Sequence, residues 1–273
     1  MRFALFACAT LTLSSVDHPA RAADASAWVE DLRSAVRLIA GAPAADAIRA
    51  GIEIKLQPGW HTYWRYPGDS GVPPRFNFAG SDNVAKATVK FPAPRAFTDE
   101  AGTILGYTGD VILPVDVTPK APGKPVTLRM KIDYAVCEKL CVPVEATTEL
   151  RLGGSKGREA ARIAAADARV PKALTAAQAG LKVNRITGKG AKPGVLVDVP
   201  AAAGGDLHVF AEGPTEEWAL PVPKPAQGAP AGRAYFAFNL DGLPPGTDPT
   251  KPLDLTFTVV RGDNAAEVRT HLD

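Results

Sequence analysis

The sequence predicts an all-β protein built in two parts. Three observations carry that reading. Glycine and proline each number 25 in 273 residues, the profile of a chain that turns often. Short segments alternate apolar and polar residues, the period of strands with one buried face. A single alanine-rich stretch, Arg158 to Ala168, interrupts the strands and divides the chain. The length agrees, because 273 residues suggest two domains rather than one.

The elements follow in order. Arg2, the apolar run Phe3 to Leu13 and the small-residue site Ala20-Arg21-Ala22 read as a secretory signal over residues 1–22, which places the mature chain in the periplasm. Cys8 falls inside that signal. No later run approaches 18 apolar residues, so no direct membrane insertion is expected. A net charge of +2 with dispersed Lys and Arg gives no footprint for nucleic acid. The first domain is expected over 28–153. Trp28 to Leu32 leads into a strand at Ala35–Ile39. Ile52, Ile54 and Leu56 alternate with Glu53 and Lys55, as in a half-buried strand. Gln57-Pro58-Gly59 is a turn.

The run Trp60 to Pro74 is rich in aromatic residues, which on strands belong to a core before they belong to a binding surface. Within it, Gly68-Asp69-Ser70-Gly71 imitates a trypsin-like nucleophile motif. Fewer than about 50 mature residues precede Ser70, too few for the upstream histidine and aspartate, so it reads as a loop. Val84 to Phe91 is a strand, and Ala96 to Gly102 a loop. Two strands flank Thr108-Gly109-Asp110, and Val126 to Tyr134 alternates cleanly, with Val142 to Leu152 returning beside it. Residues 154–180 form a linker with a short helix ended by Pro171. Over 181–273 strands are expected at Leu181–Ile186, Val195–Val199, Leu207–Ala211, Tyr235–Leu240, Leu253–Val260 and Ala266–His271. That second part contains no cysteine and no ligand-spaced cluster of His, Asp and Glu.

Cys137 and Cys141 are the two cysteines outside the signal. A disulfide needs Cα atoms within roughly 7 Å, whereas four extended residues span roughly 13 Å, so pairing requires a turn. The loop Glu138-Lys139-Leu140 between two strands would supply it. So short a loop stabilises by only about 2 kcal/mol, a weak staple. A labile, exchanging bond is the leading reading, with an inert structural disulfide and a metal site as alternatives. Lys139 would favour a thiolate and Glu138 oppose it.

Pro58 to Pro74, then Gly106-Tyr107, then Tyr134-Ala135-Val136-Cys137-Glu138-Lys139-Leu140-Cys141-Val142-Pro143 resemble the N-terminal periplasmic region of DsbD/ScsB-type thiol:disulfide interchange reductases, nearest the ScsB-like branch. The resemblance implies an immunoglobulin-like β-sandwich carrying a reversible Cys137–Cys141 disulfide, a second β-sandwich behind it, and no cofactor. It implies thioredoxin-like periplasmic partners and a membrane-embedded electron donor. Because the family's transmembrane and thioredoxin-like parts do not follow here, the chain is expected to be either a stand-alone electron carrier served by a separately encoded membrane donor or a remnant that has taken another role. In DsbD an acidic pair in a cap loop lies beside the disulfide with shielding aromatics. Asp99 and Glu100 match the acidic pair, Ala101 and Gly102 stand where aromatics are expected, and Phe97 is the candidate substitute.

A periplasmic copper-binding or copper-tolerance protein is the alternative, since Cys-x3-Cys-x-Pro also resembles Sco-type copper sites and thiolates suit Cu(I). Against it, the flanks read as strands, and no motif ties His61, His208 or His271 to the cysteines.

Overall fold

The computed structural model describes residues 23–43, 47–99, 102–153, 157–186, 193–201 and 206–273. The signal expected over 1–22 lies outside them. The first half runs through β1 (Val29–Glu30), β2 (Ser34–Pro43), β3 (Ile48–Leu56) and β4 (His61–Gly68). It continues with β5 (Arg75–Asn77), β6 (Val84–Val89), β7 (Arg95–Asp99) and β8 (Gly102–Thr108). Strands β9 (Val111–Pro119), β10 (Val126–Cys137) and β11 (Cys141–Leu152) complete it.

These strands form two sheets, ordered β1-β2-β3-β9-β6 and β11-β10-β4-β8-β7, with β5 paired to β10. Alternation decides what meets between them. Leu38, Ile52, Ile54, Leu113 and Val115 from one sheet are buried against Trp64, Leu128, Met130 and Ile132 from the other. Each such aliphatic side chain contributes about 1.5–3 kcal/mol on burial.

Two local readings change. The loop expected over Ala96 to Gly102 is instead occupied by β7 and the start of β8, which pair from Arg95↔Gly106 to Asp99↔Gly102. The loop signal came from Pro92 and Pro94, which lie before the strand rather than in it. Glu53, expected on a solvated face, is fully buried. Helix α1 (Ala160–Ala168) covers that face of the first sheet, and its Arg162, with Arg37 at 2.6 Å, grips the Glu53 carboxylate. Burial pushes the Glu53 carboxyl up, but the hydrogen bonds from Arg162 and Arg37 outweigh it and hold it below its ordinary value. Ile163 of α1 is buried beside this pair.

Beyond α1 come β12 (Lys172–Ala173), helix α2 (Ala176–Ala179), β13 (Lys182–Ile186) and β14 (Gly194–Pro200). Thr175 and Gln178 close the start of α2 as a capping box. Then follow β15 (Leu207–Glu212), β16 (Lys224–Ala226), β17 (Arg233–Asn239), β18 (Leu253–Arg261) and β19 (Asn264–Leu272). They form two four-stranded sheets, β12-β19-β18-β15 and β13-β14-β17-β16, around Val197, Leu220, Phe236, Phe257 and Val268. The chain is therefore two β-sandwiches joined by a short helical segment.

The sandwiches are packed together through β4. Phe210, Val222 and Val260 of the second sandwich extend the core of the first, where Phe210 meets Trp64 at 6.1 Å between ring centroids. Arg65 forks onto Glu212 at 2.7 and 2.9 Å and reaches Glu267 at 2.6 Å. The Tyr66 hydroxyl donates to the Leu220 carbonyl at 2.7 Å.

Candidate functional site

Along β10 the pleat sends Tyr134 and Val136 into the core and Ala135 and Cys137 to the opposite face. Strands β10 and β11 pair without a slip from Val126↔Leu152 to Cys137↔Cys141. The cysteines therefore face each other at the end of the hairpin, across the exposed loop Glu138-Lys139-Leu140. They are joined by a disulfide, with Cα atoms 4.1 Å apart. The two sulfurs differ in access. Cys137 is 3% exposed, whereas Cys141 lies on the surface next to Leu140, which is 78% exposed.

Strand β4 supplies the neighbours. Its register pairs His61 with Cys137 and Thr62 with Val136, so His61 and Tyr63 share the face of Cys137 while Thr62 and Trp64 turn inward. The Tyr63 hydroxyl lies 3.0 Å from Cys137 Sγ and 3.2 Å from Cys141 Sγ, and it can donate to either sulfur. Its ring is held in place by Gly71. At φ +122°, a Cβ on residue 71 would fall 2.2 Å from Tyr63 Cε1, so only glycine lets the backbone pass so close. Ile104 of β8 packs on Tyr63, Ala135 and Cys137 and completes the cover over the buried sulfur. Behind the site, Tyr134 shares a 2.8 Å hydrogen bond with Ser34, and burial pushes its hydroxyl above the ordinary value.

Of the residues singled out in the sequence, Cys137 and Cys141 are brought together. Phe97 on β7 is half-buried and stacks on His61 at 5.9 Å between centroids, while His61 meets Tyr63 edge-on at 5.7 Å. Phe97 is thus linked to the disulfide through two rings, His61 and then Tyr63. Asp99 ends β7 on the same hairpin, but its side chain, and Glu100 entirely, lie outside the described residues. Glu138 and Lys139 are exposed at the loop.

His208 and His271 belong to the second sandwich, beside Asp206 and Asp254. Among the described residues no three of His, Cys, Asp and Glu converge as metal ligands. Sequence reasoning missed His61 and Tyr63 as site residues. A signal existed: alternate residues of the aromatic run share one face, and a run that begins at a turn ends beside whatever strand it pairs with.

Residues 32–152 match the family described as thiol:disulfide interchange protein DsbD, N-terminal. The match runs from β2 to β11 and includes the Cys137–Cys141 hairpin. Among solved structures, the N-terminal periplasmic domain of ScsB from Proteus mirabilis is similar at a TM-score of 0.72 and 18% identity, over 91% of this chain and 98% of that one. The likeness therefore spans both sandwiches and shows a shared fold. The reduced N-terminal domain of DsbD from Neisseria meningitidis aligns at 16% identity over 44% of this chain and 86% of its own, with a TM-score of 0.27. A search of curated sequences finds no significant match. The matched segment carries its cysteine hairpin at one end of an immunoglobulin-like sandwich, with β4 alongside. No helix among the described residues is long and apolar enough to cross a membrane.

Proposed function

We propose that this chain is a periplasmic thiol–disulfide exchange protein. It relays electron pairs from a membrane-embedded donor to thioredoxin-like acceptors through Cys137 and Cys141. The observation that carries this is the unequal access of two bonded sulfurs in a DsbD-type hairpin: Cys141 is open and Cys137 is covered.

The chemistry follows from that asymmetry. A donor thiolate attacks Cys141 Sγ, the S–S bond breaks, and its electron pair leaves on Cys137 Sγ. The donor's second thiolate then displaces Cys141 from the mixed disulfide, so the donor departs oxidised and this chain holds two thiols. Toward an acceptor the steps reverse. The Cys141 thiolate attacks the acceptor's disulfide, and Cys137 resolves the mixed disulfide, returning the acceptor as a dithiol. At 3.0 Å from Cys137 Sγ, the Tyr63 hydroxyl donates to the sulfur on which negative charge develops. Its role is to ease the departure of Cys137.

Trapping tests the reading. Cys137→Ser should accumulate a long-lived mixed disulfide at Cys141 when a thioredoxin-like protein is supplied in its disulfide form, because the Cys141 thiolate attacks that disulfide and the resolving thiol is gone. Cys141→Ser should trap little, since Cys137 is buried. Capture by neither variant, with a wild-type disulfide that resists reduction below about −300 mV, would leave an inert structural bond. Export is tested separately, by intact mass: periplasmic material should begin near residue 23, and a full-length chain retained in the cytoplasm would refute the location.

A further inference from the structure

The Gly68-Asp69-Ser70-Gly71 stretch, which the sequence shows not to be a protease motif, leaves β4 at a junction of three parts of the molecule. The Asp69 carboxylate accepts two backbone hydrogen bonds on its two oxygens. One comes from Thr103 N–H at 2.8 Å, the other from Val222 N–H at 2.9 Å. Asp69 N–H in turn donates to the Thr103 carbonyl at 2.9 Å. Thr103 immediately precedes Ile104, the residue of β8 that packs on Tyr63 and Cys137. Val222 belongs to the second sandwich, in the segment that extends the first core. Two residues on, Gly71 supports the Tyr63 ring, whose hydroxyl touches both sulfurs.

Taken together, one carboxylate ties the strand that covers the buried sulfur to the neighbouring sandwich. We infer that Asp69 is a positioning residue for exchange at Cys137–Cys141. By holding Thr103 to Val222 it keeps Ile104 and Tyr63 seated on the disulfide, which gives the second sandwich a part in controlling reactivity at the first. This rests on the exchange reading given above. Without the carboxylate the two amides must find water, and β8 keeps its ladder and the residue 69 N–H bond to the Thr103 carbonyl but loses its tie to Val222. Ile104 then leaves Cys137 more often, and small thiols gain access to the buried side of the bond.

The rate of disulfide reduction by dithiothreitol reads this out, with folding followed by circular dichroism. Asp69→Ala should raise the rate about tenfold, the equivalent of one hydrogen bond to a charged group. Asp69→Asn keeps one acceptor oxygen and turns the other into a donor, so it should fall between, and it serves if the alanine variant does not fold. Glu212→Gln is the control. It weakens the Arg65 contact between the sandwiches without touching Asp69, and should lower thermal stability yet leave the reduction rate within about twofold of wild type. A folded Asp69 variant reduced at the wild-type rate overturns the inference, as does a Glu212→Gln acceleration equal to that of Asp69→Ala. Both outcomes leave the exchange reading standing, because that depends on trapping by Cys137→Ser with Asp69 intact.

Discussion

Two of the long antiparallel hairpins end in different ways. In the first sandwich, β10 and β11 close across Glu138-Lys139-Leu140, with Cys137 bonded to Cys141 at the mouth of the loop. In the second, β18 and β19 close between Arg261 and Asn264 with only Gly262-Asp263, and Gly262 takes φ +54°. A left-handed glycine is enough to turn a hairpin of this kind. The covalent bond in the first is therefore not needed to make the turn, and its loop is long enough to present Cys141 and Leu140 to solvent. On the exchange reading proposed above, the difference separates a hairpin closed for folding from one closed for chemistry.

The largest expected effect lies on the chemical side of that contrast. Cys141→Ser should abolish exchange with a thioredoxin-like dithiol in a stopped-flow or gel-shift assay, while changes at Gly262 should leave exchange untouched. Loss of exchange from both hairpins would erase the distinction. Next comes Tyr63→Phe, which removes the hydroxyl beside the sulfurs and keeps the ring packed. It should slow exchange about tenfold, as for one lost hydrogen bond to a charged group. It should also raise the Cys137 thiol pKa, followed by thiolate absorbance.

Stability sharpens the contrast in another way. Glu53 is the buried carboxylate of the first sandwich, and among the described residues the second has none. Its folded value is depressed, so it stabilises above its unfolded value, and that contribution is lost as pH falls through the folded one. Acid should therefore loosen α1 from the first sandwich before the second melts. Glu53→Gln should cost about 3 kcal/mol at neutral pH by chemical denaturation and flatten the acid limb. Replacing both cysteines by Ser should cost at most about 2 kcal/mol, and a larger loss would return the bond to a structural role. The smallest effect is expected from Gly262→Ala, about 1 kcal/mol, from a side chain forced into the left-handed region.

Local pattern carried a good part of this protein. The period-two alternation, the density of turn residues and the alanine-rich break predicted an all-β chain in two parts, because strand pairing and burial follow from which side each residue faces. Two cysteines at the ends of a short loop between alternating strands predicted a bonded hairpin for the same local reason.

What faces that hairpin depended on partners distant in sequence. His61 and Tyr63 lie more than seventy residues before Cys137 and Cys141, and only the β4–β10 pairing turns an aromatic strand into a lining for sulfur. Asp69 read as a loop residue because its hydrogen-bond partners, Thr103 and Val222, are 34 and 153 residues away. Glu53 read as solvent-facing because the helix that buries it is 109 residues further on. Sequence alone determined which face each residue takes on its own strand. Tertiary structure decided what stands opposite that face, because a carboxylate or hydroxyl acquires its role from the group it meets and not from its neighbours in the chain.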